Sequence, residues 1–425
     1  MAKKQNSFSL RRAMRKGVKH LPDPIKHPIL RRSFRLPKEI SEELSISVVQ
    51  TPQEMESALR VLHDAYVDFG YMNPHPSGLR VLPQHAMLTT TMIVVKIADE
   101  VIGTVSMILD NPLGLPMDSI FDLSPYRQNG MRLMEVSSLA VAKKYRFVRG
   151  KIFLPVCKFA LEYAQRFSVA DYMVIAVNPK VADFYRAIVL FDKLPTGAVK
   201  NYDFVKGAPA VGQIISIADL KKTWANVYDG VSSKRNFLEF MNEDLDQLKF
   251  PIRQYRHGLE NVLSQGLFRD LFIEKTKVLE QLPMEKKVRL ARYYSGSQFE
   301  ADILQACGNL LPFNARSEFR YETLCSARVG VDDSKASVLS VSRGGLHLRF
   351  LPGKGPVVEG ERKLQIEVAP NKIAQTVGET VWLQPGQAGL KIIDHDATWS
   401  EYLEHLDEYV GNSPKRRPKA ADGTT

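Results

Sequence analysis

The chain has 425 residues, 44% hydrophobic and 25% charged, with a formal net charge of +11; that is room for two or three domains of ordinary globular composition. No run reaches the roughly 18 uninterrupted apolar residues of a membrane helix, and no apolar leader with a small-residue cleavage site is present. Three scattered cysteines, Cys157, Cys307 and Cys325, do not make a disulfide framework, so a cytoplasmic protein is expected.

The charge is unevenly spread. Residues 1–38 hold 12 of the 58 Lys and Arg against one acid, Asp23, and the rest of the chain balances at 46 of each sign. Residues 1–40 are expected to form a basic, disordered arm. It is either a solvated leader or a peripheral contact for anionic lipid at the inner membrane, or for an acidic protein. Pro22, Pro24, Pro28 and Pro37 argue against one long amphipathic helix there.

Order begins near residue 44. Residues 44–49 alternate apolar and polar and predict a strand. Thr51, Pro52 and Glu54 form a helix-start signature, with Met55, Ala58, Leu59 and Leu62 at helical spacing up to Gly70. A loop rich in Pro, His and Gly (71–88) leads to a predicted hairpin, 91–97 and 101–109. After a long loop at 110–130 come a strand at 134–141, a basic turn, a helix at 150–167 and a strand at 172–177. Asn178-Pro179 opens a helix to about Leu190, and strand-like segments finish at 202–217. Residues 230–310 carry helical spacing, as in Phe237, Phe240, Met241 and Leu245, and predict a helical connector. Residues 311–396 read as short strands with Gly and Pro turns, a small β-barrel. A terminal helix and a polar tail are expected at 397–425. The fold class is thus α+β and multidomain. The nine histidines show no metal-type spacing, so no metal site is expected.

The element order of residues 41–225 resembles the GNAT fold of N-acyltransferases. Asn178 to Arg186 with Ala182, Phe184 and Tyr185 is similar to that fold's late helix. Glu135, Ser137, Leu139 and Val141, leading to Tyr145-Arg146, resemble the central strand of two acyl-carrier-protein-dependent branches. These are the N-acyl amino acid synthases and the acyl-homoserine-lactone synthases. The stretches 62–71, Gly103-Thr104-Val105, Leu109-Asp110 and 114–118 resemble the first branch more. The resemblance implies transfer of a long-chain acyl group from an acyl carrier protein to the amine of an amino acid. It makes Glu135 the candidate base and Tyr185 the candidate proton donor to the leaving thiolate, with backbone N–H groups on a bulged central strand for the oxyanion.

The donor turn departs from the glycine-rich pattern of coenzyme A enzymes. Lys143, Lys144, Arg146, Arg149, Gly150 and Lys151 supply five cations and one glycine. A carrier protein's phosphopantetheine has one phosphate and no adenosine, and such proteins are acidic, so this turn, with Asn178, is the expected donor and carrier-protein contact. Cys157 lies among apolar neighbours and reads as a core thiol.

In the barrel, Arg316-x-x-x-Arg320 and Ser340-x-Ser342-x-x-Gly345 resemble the two signatures of PilZ domains. The resemblance implies cyclic di-GMP as a regulatory ligand. Arginine forks would serve its guanines or phosphates, Ser342 a base edge, and Gly345 close backbone approach. Ser340 stands where that family has Asp or Asn. No nucleic-acid partner is expected. Two rivals stay open: an autoinducer synthase, and a non-catalytic cyclic di-GMP effector built on an acyltransferase scaffold.

Overall fold

The computed structural model describes residues 21–37, 39–128, 130–308, 318–330, 334–350 and 360–412, with the side chains of 147–150 and 196–200 outside that description. Two sheets organise the chain. The first holds eight strands: β1 (Leu44–Val48), β2 (Thr90–Ile97), β3 (Glu100–Leu109), β4 (Leu133–Val141), β5 (Tyr172–Val177), β6 (Asp192–Tyr202), β7 (Ala208–Ser216) and β8 (Leu248–Lys249). Their order is β6-β7-β5-β4-β3-β2-β1-β8. Only β4–β5 and β1–β8 are parallel. The helix α2 (Pro52–Asp68) starts as its sequence dictates. Thr51 Oγ1 accepts from the Glu54 N–H at 3.1 Å, and Glu54 Oε2 accepts from the Gln50 N–H at 2.9 Å, a reciprocal capping pair. The helix α3 (Arg149–Phe167) follows the basic turn, and α4 (Pro179–Phe184) runs on into a wider π-helical turn, Tyr185–Val189. A core between the sheet and α3 includes Ile46, Val105, Phe159, Tyr163 and Met173.

The second sheet is a barrel. Strands β10 (Ser326–Val329), β11 (Ser334–Ser342), β12 (Gly345–Phe350), β13 (Glu361–Ala369), β14 (Lys372–Gln384) and β15 (Gln387–His395) close through a β10–β11 pairing, and β9 (Tyr321–Glu322) adds to β11. Closure removes the free edges.

Two expectations are corrected. Residues 230–310 do carry short helices, Phe237–Asn242, Gln265–Arg269, Met284–Tyr293 and Glu300–Ala306, but they are not a helix-only connector. Their β8 joins the first sheet, and one continuous core runs from Met55 and Leu59 of α2 through Leu259, Phe268, Tyr294 and Phe299 to Leu346 and Trp399 beside the barrel. Apolar spacing alone did not reveal which face each short helix would cover. The modules are also tied by ion pairs, Arg349–Asp171 at 2.6 Å and Arg132–Glu322 at 2.8 Å. The second correction concerns the basic arm. Its residues 21–37 are ordered, with a helix α1 at Asp23–Ser33. Pro24 sits in the first turn, where no N–H is needed, and Pro28 removes one internal bond at a cost of about 3 kcal/mol. Docking against α4 offsets that loss, and Lys26 is buried in the joint.

Candidate active site

The site arises where β4 and β5 part. They pair only at Leu133–Tyr172, Met134–Met173 and Glu135–Val174, and beyond Glu135 the strands splay. On the other edge of β4, Ser137 faces Ser106 and Ala140 faces Thr104, so Ser138 and Leu139 stand opposite the single Val105. This is a bulge, and Ser138 takes a φ of 59°, a conformation costing about 1–3 kcal/mol in a residue with a side chain. The resulting cleft encloses about 250 Å³. Tyr66, Tyr71, Tyr202 and Phe204 line one side, and Phe153, Cys157, Ala160 and Leu161 of α3 with Met173 and Ile175 of β5 line an apolar interior.

Glu135 is 1% exposed, and its Oε2 accepts from the Met117 N–H at 2.9 Å. Burial pushes its carboxyl up to about 8, against the opposing pull of the Met117 N–H and the Ser137 hydroxyl. Met117 is held by a charged lattice. Arg127 spans Asp110 (2.6 Å) and Asp118 (2.9 Å), Asp118 Oδ2 accepts from the Leu115 N–H at 2.8 Å, and Asp110 Oδ2 accepts from the Leu133 N–H at 2.8 Å. Gly114, at φ 76°, turns the chain where a Cβ would meet Asp118 at 2.9 Å. The loop at 110–130 is thus a scaffold that aims one N–H at the candidate base. Beside it, His85 Nε2 meets Ser106 Oγ at 3.0 Å, and burial holds that ring neutral, its pKa lowered to about 3. Tyr202 is buried at the cleft with its hydroxyl unpartnered among the described residues, and Arg80 stacks on Tyr66 and Phe204 at 4.2 and 4.6 Å.

A second, larger groove of about 860 Å³ adjoins the cleft. Both are lined by Leu139, Phe153, Val156, Val181 and Tyr185, and the groove's lining adds Arg35, Arg146 and Lys151. Tyr185 stands at the junction, its ring edge-on to Phe153, Phe184 and Phe191. Burial raises its phenol far above the ordinary range, which weakens it as an acid. Asn178 lines the cleft but spends its side-chain oxygen capping α4, accepting from the Lys180 N–H at 3.0 Å. The basic turn is partly neutralised: Lys143 and Arg146 pair with Asp68 at 3.4 and 3.3 Å, and Lys144 pairs with Glu100 at 2.8 Å. Arg149 and Gly150 open α3, and nothing of the Arg149 side chain belongs to the described residues. Tyr202 and Arg80 escaped the sequence reading. Neither sits in a motif, and Tyr202 reaches the cleft only because β6 and β7 turn back over it.

In the barrel, Arg320, Ser342 and Gly345 converge. A Cβ on Gly345 would lie 3.6 Å from Arg320 Nη2 and 3.7 Å from Ser342 Oγ. Arg320 has no hydrogen bond or ion pair among the described residues. Ser340 pairs with Glu322 of β9 in the ladder. Arg316 lies outside the described residues.

Residues 57–214 match the family model of the N-acyl amino acid synthase FeeM. The matched stretch contains Tyr66, Arg80, Glu135, Tyr185 and Tyr202, and it identifies an acyltransferase module in this chain. The solved structure of FeeM, an N-acyl amino acid synthase from uncultured soil microbes, is 27% identical over 42% of this chain and 93% of that one, with a TM-score of 0.34. The CoA-dependent acyl-homoserine lactone synthase BjaI is 13% identical over 49% of this chain and 93% of that one, TM-score 0.34. The ribosomal-protein-S5-alanine acetyltransferase from Vibrio fischeri is 13% identical over 43% and 97%, TM-score 0.30. No curated protein matches the chain.

Proposed function

We propose that this protein transfers a long-chain acyl group from an acyl carrier protein to the amine of an amino acid, and that cyclic di-GMP at the barrel regulates it. The observation that carries the first part is Glu135: a buried carboxyl with a pKa raised to about 8, set where the central strands part. The acceptor arrives as an ammonium ion. Its positive charge beside Glu135 favours the carboxylate, and a buried carboxylate is a stronger proton acceptor than an exposed one. Glu135 takes the ammonium proton, and the freed nitrogen attacks the thioester carbonyl. A tetrahedral oxyanion forms next to the bulge at Ser138 and Leu139, where backbone N–H groups turned out of the ladder would hold it. The attacking nitrogen, cationic after addition, gives its second proton to solvent, and the C–S bond breaks to leave the amide and a thiolate that takes up the proton held by Glu135, which restores the carboxylate. The raised Tyr185 phenol is a reluctant donor for that step, so Tyr185 serves as a wall of the thioester site. The apolar interior between α3 and β5 receives the acyl chain.

Support for a carrier-bound donor is the exposed basic turn. The pairs of Lys143 with Asp68 and Lys144 with Glu100 are surface pairs worth about 0–1 kcal/mol, readily exchanged for an acidic partner's carboxylates. Support for the nucleotide is Arg320, which has no hydrogen bond or ion pair among the described residues and lies close to Ser342 and Gly345. The test is direct. Purified protein, a dodecanoyl-loaded acyl carrier protein and mixed amino acids should release thiol only when amine is present, and Glu135→Gln should abolish release. Thiol release without amine, or an active Glu135→Gln variant, would reject the mechanism.

A further inference from the structure

The basic arm does more than solvate the chain. Helix α1 is fastened to α4 and its π-helical turn by four contacts. Asp23 pairs with Arg186 at 2.7 Å, and Lys26 with Asp183 at 2.9 Å. Arg31 Nη1 donates to the Ala187 carbonyl at 3.1 Å, and the Phe34 ring packs edge-on against Phe184 at 5.8 Å. All four partners lie within five residues of each other, and Tyr185 sits among them. Beyond α1, the Leu36 N–H donates to the Lys234 carbonyl at 3.0 Å, and Phe34, Arg35 and Pro37 form one wall of the large groove. Asp23, His27 and Asp183 are near enough to share a metal ion. Lys26 and Arg186 already neutralise both carboxylates, so the cluster is a docking joint.

We infer that residues 23–37 are part of the acyl-donor site: α1 clamps the turn that carries Tyr185, and Phe34 to Pro37 wall the groove in which an acyl-phosphopantetheine lies. This rests on the acyl-transfer reading above. Three features select that occupant. The groove is continuous with the Glu135 cleft through five shared residues. Its walls are mostly apolar, including Phe34, Phe69, Phe153 and Phe184, as a thioester-bearing chain requires. Cations are among its lining residues, Arg35 from the arm and Arg146 and Lys151 from the donor turn; Arg35 spends Nη1 on the Arg32 and Phe34 carbonyls and keeps its other guanidinium N–H groups for one phosphate. Its volume is within the roughly 300–1,000 Å³ of small-molecule sites. One cation of the arm, Arg35, thereby serves the donor directly. Phe34 is a specificity-determining contact, and Asp23 and Arg186 are positioning residues.

The experiment is calorimetric titration of the full chain with dodecanoyl-4′-phosphopantetheine. Wild type should bind, and Phe34→Ala should bind about tenfold more weakly, with Phe34→Leu between the two. Arg186→Gln, which leaves the groove wall intact but loosens the clamp, should also weaken binding, with a single cooperative unfolding transition in all three variants as a check of folding. Wild-type affinity in Phe34→Ala and Arg186→Gln would overturn the arm's role and leave acyl transfer standing. Absence of binding by wild type would overturn the donor reading and the arm's role with it.

Discussion

Replacing Glu135 with glutamine should change how stability depends on pH. In the unfolded chain this carboxyl titrates near its ordinary 4.5, and in the fold near 8. Between those values the folded protein holds a proton that the unfolded chain has lost, so stability falls as pH rises. The contribution is fully present below 4.5 and is gone once pH passes 8. Each unit is worth about 1.36 kcal/mol, so the shift of three to four units amounts to roughly 4–5 kcal/mol. The glutamine of the Glu135→Gln variant keeps an acceptor for the Met117 N–H and cannot ionise. Wild type and variant should therefore have similar stability at pH 5, and the variant should be the more stable by about 4 kcal/mol at pH 8. Calorimetric unfolding of both proteins from pH 5 to 9 measures this, because every other titrating group cancels in the comparison. Parallel curves would refute the buried, proton-bearing Glu135.

Further outcomes follow from other parts of the structure. Ala160→Phe fills the apolar interior of the cleft, at about 1–3 kcal/mol of stability, and should shift products to shorter acyl chains by mass spectrometry. Arg320→Ala should abolish cyclic di-GMP binding in a titration while leaving the unfolding midpoint nearly unchanged, since the side chain has no partner to lose among the described residues. Ser340→Asp should tighten that binding. Arg132→Ala and Glu322→Ala each break the partly buried pair between the modules. A double-mutant cycle on thermal unfolding should give a coupling of about 0.5–3 kcal/mol.

Much of the fold was legible because it rests on local signals. The Thr51–Glu54 cap, the alternation in β1 and the Asn178-Pro179 helix start all appear where the residues place them. The helix α1 did not, because its stability comes from Asp183 and Arg186, more than 150 residues away, and its prolines speak against it. The two-residue β8 carries too few residues for any period. Its neighbours' helical spacing gave no sign that they would merge with the barrel core. Within the site, Glu135 and the loop motif around Asp118 could be singled out by type and order. The Asp110–Arg127–Asp118 lattice that aims the Met117 N–H depends on side chains meeting across a folded loop. Ser138's left-handed turn is likewise set by the register of β3 against β4, a property of the pairing that one strand's sequence does not contain.

The central claim is amide formation at Glu135, and it is tested most directly by mass spectrometry of lipid extracts from cells expressing the protein or its Glu135→Gln variant. The account predicts new N-acyl amino acids with wild type and none with the variant, their masses naming the chain and the acceptor. Equal yields from both, or no new species from wild type supplied with a compatible carrier protein, would contradict it.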